Sequence, residues 1–268
     1  MVVDQSYDFG PVSGFRFGKT LFGPVKLSVL IYHIDGLLID TGAPNMRGPI
    51  LDRLSDLPVN QIFLTHHHED HSGNVPALQQ AFSCKTFTTT ACAQVMRTPP
   101  KMSLPQHMVW GKYQAIHNME VVENWLETEN YRFEIIELPG HASDMAGLLE
   151  QNQGWFFSAD LYIHHYITYF KRDEHMGQQI ASLKKALSLD FDTLFCAHNP
   201  QLEGGKEKLR QKLAFLEDFK GKVDQYAQMG LAPKEILKKM ALKEKTMMRF
   251  MSGGELSVIN MIRAALKP

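Results

Sequence analysis

Apolar and polar positions along most of the chain alternate between strand-like and helix-like periods. Residues 25–40 combine two apolar runs with an Asp35-Gly36 dipeptide, a pair typical of tight hairpins. Apolar spacings of three and four predict helices over 48–58 and 178–189, and Ser72-Gly73 predicts the start of another. Further strands are predicted over 61–65, 85–90, 131–141, 146–160 (as a hairpin) and 192–198. Strands interspersed with helices favour an α/β architecture.

One internal segment departs from this alternation. Residues 98–118 contain three prolines and show little periodicity. This pattern predicts a long loop or lid with marginal structure.

The tail of the chain is helical from residue 203 onward, with one apolar stripe. Gly230 is expected to end a helix there, and Pro233 suits the first position of the next. Ser252 with Glu255 three residues later matches the capping box of a last helix. We therefore predict two domains, which cover 1–202 (catalytic) and 203–268 (a helical extension packed near the active site).

Composition narrows the class of protein. The 268 residues include 28 basic and 29 acidic side chains, and this balance argues against a broad electrostatic grip on nucleic acid or an anionic membrane. The N-terminal residues lack a signal-peptide pattern. The longest apolar run, 27–40, is interrupted by polar residues, so no transmembrane helix is expected. Three cysteines without paired spacing predict a reduced, cytoplasmic protein.

The stretch "THHHEDHSG" (65–73) concentrates four histidines and two acids in six consecutive positions. His66 and His68 are two residues apart, so in an extended backbone they point to the same side and can bind one cation. Asp70 and His71 follow where the chain is expected to bend, and they can face a second cation. The residues between them, His67 and Glu69, are expected to point away and to support the loop. A histidine-rich surface loop is the alternative interpretation.

Metal-competent side chains recur where predicted strands end. His141 follows one such strand, Asp160 follows another, and His198 follows a third. Because sites in α/β proteins usually lie outside the ends of strands, we expect these side chains to meet the 66–71 loop.

The motifs and their order resemble the metallo-β-lactamase-fold hydrolase superfamily over residues 25–200. The resemblance rests on "LLIDTG" (37–42), "THHHEDHSG" (65–73), "PGH" (139–141), "SAD" (158–160) and "CAH" (196–198). It implies an α/β (α+β) fold, namely a four-layer αββα sandwich with two metals at the edge of the packed sheets, followed here by a helical extension. The resemblance implies one metal on His66, His68 and His141, another on Asp70, His71 and His198, and Asp160 bridging both. It further implies that Asp40 lies beneath the site and orients ligands by hydrogen bonds.

The chemistry fits this ligand set. Two divalent cations about 3.5–4 Å apart lower the pKa of water between them and give a hydroxide nucleophile at neutral pH. Imidazole and carboxylate ligands suit zinc, our first expectation, and also iron or manganese. Asp70 is the catalytic candidate, because as a ligand it can also shuttle the proton of the hydroxide. Cys196 is two positions before His198 and can face the same way, although a buried packing role is favoured.

The helical tail resembles the arrangement in hydroxyacylglutathione hydrolases of the glyoxalase II type and in related lactonases. Two features depart from it: "PGHASDMAG" replaces the usual continuation after the histidine, and the tail lacks a convincing match to the basic motif that holds glutathione. Candidate substrate contacts follow Asp160: they are Tyr162, His164, Tyr166 and Lys171. Lys171 could bind an anionic substrate or be simply solvated, and the aromatic residues are equally compatible with packing.

The leading hypothesis is a dinuclear zinc hydrolase whose metal-bridging hydroxide attacks a thioester, lactone or ester carbonyl. A mononuclear iron persulfide dioxygenase, with a triad such as His66, His141 and Asp160, is the first alternative. A phosphodiesterase or nuclease is disfavoured by the charge balance, a β-lactamase by the lack of an export signal, and a non-catalytic module by the complete ligand set. The expected partner is a small-molecule substrate, and neither nucleic acid nor a membrane is expected as a partner. The protein is expected to be a monomer or a homodimer.

Overall fold

The computed structural model describes residues 1–19 and 28–268, and within these ranges the strands form two sheets. The first sheet follows chain order: β1 (Val2–Phe9), β2 (Val12–Lys19), β3 (Val29–Ile34), β4 (Leu37–Ile39), β5 (Gln61–Phe63), β6 (Lys85–Thr88) and β7 (Glu120–Val121). The second sheet runs in spatial order from β12 to β8: β12 (Thr193–Cys196), β11 (Trp155–Ala159), β10 (Ala146–Glu150), β9 (Arg132–Glu137) and β8 (Trp125–Glu127). Pairing is antiparallel within β1–β4 and β8–β11, and parallel from β4 to β7 and between β11 and β12.

Helices cover the outer face of each sheet. In chain order they are α1 (Arg47–Leu54), α2 (Glu69–Ser72), α3 (Val75–Phe82), α4 (Thr90–Arg97), α5 (Leu104–Trp110), α6 (Met176–Ser188), α7 (Gly205–Gln228), α8 (Pro233–Lys239), α9 (Thr246–Met251) and α10 (Val258–Ala265). The helices predicted over 48–58 and 178–189 correspond to α1 and α6. The helix predicted to begin at Ser72-Gly73 is divided into α2, which begins earlier, and α3.

Alternate side chains of the strands explain the layers. Ile31 of β3 packs with Ile50 of α1, whereas its neighbour Tyr32 faces Phe157 of the second sheet, with ring centroids 5.6 Å apart. Phe156, on the other face of β11, packs in the cluster formed with α6, α7 and α10. The order is therefore helix, sheet, sheet, helix, and the predicted four-layer sandwich with C-terminal helices is confirmed.

The predicted hairpin around Asp35-Gly36 is present as β3 and β4. Asp35 (φ 48°) and Gly36 (φ 75°) both adopt left-handed backbone angles, as a two-residue turn between twisted strands requires. The part of this prediction that covers 25–27 lies outside the described residues.

The prediction of a loop over 98–118 is wrong at α5. Ser103 caps this helix: the Gln106 backbone N–H donates to its hydroxyl, and its own N–H donates to the Gln106 side chain at 2.7 Å. Pro105 lies in the first turn, where a missing N–H leaves no hydrogen bond unmade. The proline that argued against a helix is therefore compatible with the start of one.

The helix ends of the tail are partly as predicted. α7 ends just before Gly230 and α8 begins at Pro233. The predicted cap of the last helix is wrong, because Ser252 ends α9 and Ser257 caps α10 by accepting from the Asn260 N–H. Ser252 and Ser257 both precede apolar residues of the tail, so the local sequence does not show which of them caps the last helix.

The helical tail packs on α6 and on the end of the second sheet. The ammonium group of Lys212, on α7, donates to the carbonyl oxygen of Leu161 at 2.6 Å, directly after β11. Lys267 donates to the Glu174 carbonyl at 2.7 Å. The division of the chain into 1–202 and 203–268 stays a prediction.

Candidate metal centre

The loop after β5 turns into α2 within the histidine-rich stretch. His68 has an extended backbone (φ −57°, ψ 148°) and stands immediately before the helix. His66 and His68 therefore precede the bend, whereas Asp70 and His71 lie in the first turn after it. Every side chain from 66 to 71 is buried, with the exposed fraction of each residue at 7% or less.

A first group of donor atoms forms around His68. Its Nδ1 lies 2.9 Å from Nε2 of His66 and 3.1 Å from Nε2 of His141. A carboxylate oxygen of Asp160 lies 3.1 Å from the same nitrogen of His141. One donor atom from each of these four residues lies within 4.8 Å of the others.

A second group lies beside the first. Donor atoms of Asp70, His71 and His198 also lie within 4.8 Å of one another. Asp160 faces this group too, with Oδ1 at 3.4 Å from Nε2 of His71 and Oδ2 at 3.3 Å from Nε2 of His198. The structure thus brings all seven predicted side chains together, with Asp160 between the two groups.

The two groups fit divalent cations. Nε2 of His71 and Oδ1 of Asp160 are buried and lack a hydrogen-bond partner, a costly state for polar atoms unless a further atom fills the space between them. Ligands about 2.0–2.1 Å from one tetrahedral zinc ion lie roughly 3.3 Å apart, which matches the donor separations here. Neutral imidazole and carboxylate are also the ligand types that zinc, iron and manganese share.

Asp40 supports both groups from beneath. Its Oδ2 lies 2.7 Å from Nδ1 of His71, and its carboxylate accepts from the Thr65 hydroxyl at 2.9 Å. Nδ1 of His66 lies 3.0 Å from that hydroxyl, which is already donating to Asp40, so His66 is the donor of this contact. Both imidazoles therefore carry a proton on Nδ1 and direct Nε2 toward the cluster. Against the effect of burial, Asp160 and Asp40 raise the pKa of His71 well above its ordinary value, so a cation that binds Nε2 of His71 displaces a proton.

His198 and His141 are oriented by other partners. Nδ1 of His198 lies 2.7 Å from the Ser28 carbonyl oxygen, and Nδ1 of His141 lies 3.7 Å from a carboxylate oxygen of Glu174. Glu174 is itself fixed, because it accepts from the Gln179 side chain at 2.6 Å. Glu174 was not predicted from the sequence, because no motif marks it.

Two residues at the centre have strained backbones. Asp40 (φ 63°) and Ala159 (φ 47°) adopt the left-handed conformation, which costs a non-glycine residue about 1–2 kcal/mol. Ala159 also follows an irregularity in the pairing of β11 with β12, immediately before Asp160. Such strain persists where the surrounding structure fixes it, commonly at functional sites.

Electrostatic interactions in the metal-free protein shift the pKa values of several donors. Burial, with a contribution from His71, holds the pKa of His66 well below its ordinary value, so this imidazole is neutral. Although burial opposes ionisation, His198 and His71 hold the pKa of Asp160 well below its ordinary value. Burial likewise opposes a charge on His141, but hydrogen bonds to Asp160 and Glu174 raise its pKa to about 9. A cation that binds the first group therefore displaces a proton from His141.

The predicted substrate contacts occupy different environments. Tyr162 is 2% exposed and lies in the core, whereas Tyr166 is 58% exposed and its ring packs edge-on against Phe215 of α7. His164 is exposed and stacks on His165 with ring centroids 4.2 Å apart. Lys171 is half-buried; against the effect of burial, Glu69 and Asp70 raise its pKa, which keeps it protonated. Contact of these four residues with a substrate stays a prediction.

Cys196 lies fully buried in the core behind the second sheet. Burial raises the pKa of its thiol to about 12, so it is not a thiolate near neutral pH. This environment favours packing over nucleophilic chemistry.

Asp144 is a further carboxylate near the site that was not predicted from the sequence. It is 3% exposed, follows the "PGH" motif by three positions and contacts His67. His67 was predicted to support the loop, and Asp144 is its partner in the structure. Glu69, two positions after His67, is also buried.

A sandwich of two sheets with clustered histidines and carboxylates at the strand ends is the arrangement of a metal-binding α/β protein. A family model described as the metallo-beta-lactamase superfamily matches residues 26–198, and the chain belongs to this superfamily.

Three similar proteins illustrate the relationship. Hydroxyacylglutathione hydrolase of Bdellovibrio bacteriovorus is 29% identical over 126 residues, 44% of this chain and 41% of the relative. Hydroxyacylglutathione hydrolase GloC of Haemophilus influenzae is 25% identical over 185 residues, 64% of this chain and 83% of the relative. The solved structure of a beta-lactamase domain protein from Burkholderia ambifaria has a TM-score of 0.70 at 14% identity, covering 97% of this chain and 87% of that one, and shows a shared fold. The chain thus spans only about two fifths of the Bdellovibrio relative.

No helix within residues 1–19 and 28–268 combines the length and the apolar character that a membrane-spanning helix needs.

Proposed function

We propose that this protein is a hydrolase that binds two divalent cations, with zinc as the first expectation, and cleaves small thioesters, lactones or esters. The carrying observation is the convergence of seven donor side chains into two buried groups with Asp160 between them. Membership of the superfamily and the hydroxyacylglutathione hydrolase relatives support hydrolysis.

Each group of residues has a distinct task in this proposal. When bound, the cations supply a water of lowered pKa and polarise the substrate carbonyl. His66, His68 and His141 would hold one cation, and Asp160 would keep the two groups at their spacing. Asp70, whose carboxylate lies 3.7 Å from Nε2 of His198, takes the proton of the attacking water. Burial of the cluster excludes bulk water and strengthens these interactions.

The substrate side of the proposal depends on the segment after Asp160. Lys171 is protonated and close enough to Glu69 and Asp70 for their charges to raise its pKa, so it would hold an anionic end of the substrate. The exposed rings of His164 and Tyr166 would line the approach. A protonated lysine beside exposed aromatic rings favours a small acyl compound with an acidic group as the substrate.

A mononuclear iron persulfide dioxygenase would need only residues of the first group. The second group is equally assembled, and Nε2 of His71 lies buried without a partner. A single-metal enzyme would leave the donors of the second group without a cation, so the two-cation hydrolase is favoured.

Metal analysis of protein purified without added metal tests the proposal, followed by assays with thioester, lactone, ester and phosphodiester substrates. We expect about two divalent ions per chain and hydrolysis that is lost in His68→Ala but kept in the matched variant His117→Ala, which alters an exposed histidine. Absence of bound metal, or full activity of His68→Ala, would overturn the proposal. One iron per chain with oxygen uptake would replace it with the dioxygenase.

A further inference from the structure

Asp144 connects the two loops that supply the histidines of the first group. His66 and His68 lie on the loop after β5, whereas His141 lies on the loop between β9 and β10. Asp144 belongs to the second loop, and its carboxylate reaches His67 on the first. The relative position of these loops determines whether the three histidines can share one cation.

The contact between Asp144 and His67 is double. Oδ2 of Asp144 accepts from the backbone N–H of His67 at 3.0 Å, and Oδ1 lies 2.7 Å from Nδ1 of its ring. The carbonyl oxygen of His67 accepts from the Ser72 hydroxyl at 3.0 Å. Both peptide groups of His67 are therefore fixed, and this residue stands between the two donors His66 and His68.

Asp144 and His67 are both buried, so a polar group of either that lost its hydrogen bond would have no water to replace the partner. The Asp144 side chain is 1% exposed and the His67 side chain 8%. A buried carboxylate is stable only where hydrogen bonds meet it, and the backbone N–H and the ring of His67 both contact Asp144. The Cys92 thiol also lies within hydrogen-bonding reach of Asp144; burial and this carboxylate raise the pKa of the thiol well above its ordinary value.

One backbone hydrogen bond also joins the two loops, from the Ala146 N–H to the Thr65 carbonyl at 2.9 Å. It fixes the loops at their bases, where β5 ends and β10 begins. Asp144 acts further along, beside the donors themselves, and it restrains a side chain as well as the backbone.

We infer that Asp144 is a positioning residue for the first cation: through His67 it sets the spacing between the His66–His68 pair and His141. The inference rests on the proposed metal site. His67 lies between donors but belongs to neither the first nor the second group, and the inference gives it the role of a spacer whose ring transmits the restraint. Residues that orient metal ligands in this way contribute about 10–100-fold to metal affinity.

The test is the affinity of the full chain for Zn²⁺ alone, measured by competition with a chelator. Asp144→Asn keeps the shape of the side chain but removes its charge, and it replaces one acceptor oxygen by a donor opposite Nδ1 of His67. We expect its Zn²⁺ affinity to fall about 10–100-fold.

Glu150→Gln is the matched control. Glu150 is also a buried carboxylate (2% exposed) that accepts a backbone N–H, from Gln153 at 2.6 Å, but it lies at the opposite end of β10. Its Zn²⁺ affinity should stay at the wild-type value even if its melting temperature falls.

His67 gives a second, independent pair of variants in case Asp144→Asn does not fold. His67→Ala leaves Asp144 with the backbone contact alone and should lose about tenfold or more in Zn²⁺ affinity, whereas His67→Asn keeps a donor toward Oδ1 and should recover most of it. A merely structural role would lower the melting temperatures of the metal-free and zinc-loaded proteins equally and leave the affinity unchanged.

The outcomes separate this inference from the proposed function. Zn²⁺ binding by the wild type with unaltered affinity in Asp144→Asn, or in both His67 variants, overturns the role of Asp144 and leaves the metal site standing. Failure of the wild type to bind Zn²⁺ overturns both.

Discussion

Oδ2 of Asp40 lies 2.7 Å from Nδ1 of His71, and the Nε2 on the other side of the same ring faces the carboxylate of Asp160. The ring is therefore held in one orientation, with Nε2 toward the cluster, before any cation arrives. Because Asp40 also reaches His66 through the Thr65 hydroxyl, one buried carboxylate prepares a donor in each group.

Because Asp40 supports one histidine in each group, Asp40→Asn tests how much this support contributes to metal binding. The amide can present an oxygen to only one of its two partners, so we expect Zn²⁺ affinity to fall about 10–100-fold while the protein stays folded. Asparagine adopts the left-handed backbone of Asp40 at a lower cost than alanine does; Asp40→Ala should therefore lose about a further 1–2 kcal/mol in the free energy of unfolding. Chelator competition and urea unfolding of the two variants separate the effects, and equal Zn²⁺ affinity in wild type and Asp40→Asn would contradict the prediction.

Gly140, beside His141, leaves no room for a side chain. Its φ is 134°, and a Cβ built on it would lie 2.3 Å from the backbone nitrogen of Gln179. Gly140→Ala should therefore destabilise the fold by about 1–3 kcal/mol from backbone strain, and more from the clash with α6. Gly48→Ala is the control: a Cβ built there meets nothing within 4 Å and lies within α1, so it should stabilise by about 0.5–1 kcal/mol. Urea unfolding measures both, and a neutral Gly140→Ala would count against the described packing.

Lys212 predicts an unusual pH dependence of stability. Burial lowers its pKa from 10.5 to about 8 in the folded protein, so between these values the unfolded chain binds more protons. The free energy of unfolding contributed by this residue therefore rises with pH from about 8 to 10.5, by roughly 3 kcal/mol in all.

Lys212→Met should remove this rise. The difference in unfolding free energy between variant and wild type should change by roughly 2–3 kcal/mol between pH 7 and pH 10, in favour of the wild type at the higher pH. The control Lys222→Met alters an exposed lysine of the same helix and should show no such change. Parallel pH profiles for wild type and Lys212→Met would show that Lys212 titrates normally.

Metal removal should lower thermal stability. A ligand at 100 times its dissociation constant stabilises the state that binds it by about 2.7 kcal/mol. For a chain of this size, adding Zn²⁺ to metal-free protein should therefore raise the melting temperature by about 5–10 °C. Ca²⁺, which prefers oxygen ligands, should give a smaller shift at equal concentration, and equal shifts would point to nonspecific binding.

Much of this architecture could be predicted from local pattern. The strands that precede each metal-competent residue are short and apolar, and the Asp35-Gly36 turn and the Pro233 helix start carry signals within a few residues. The "THHHEDHSG" stretch brings four donors together by itself, and the other three were predicted from their place after strands.

The features that were not predicted depend on contacts between residues far apart in the sequence, or on local patterns that are compatible with two structures. Asp144 and His67 are 77 positions apart, and nothing near either residue identifies its partner. Pro105 suits either a loop or a first helical turn, and only the capping by Ser103 decides for the helix. The β1–β2 hairpin was not predicted, although Gly10, in the left-handed region at φ 73°, marks its turn.

The donors arise from two sheets: four follow β5 in the first, and His141, Asp160 and His198 follow strands of the second. A cation held between these donors would connect the two sheets. Its release would require the sheets to move apart locally, so the rate of cation release should report how often they separate. During synthesis the first group could be complete once Asp160 had left the ribosome, whereas the second would lack one donor until His198 had followed.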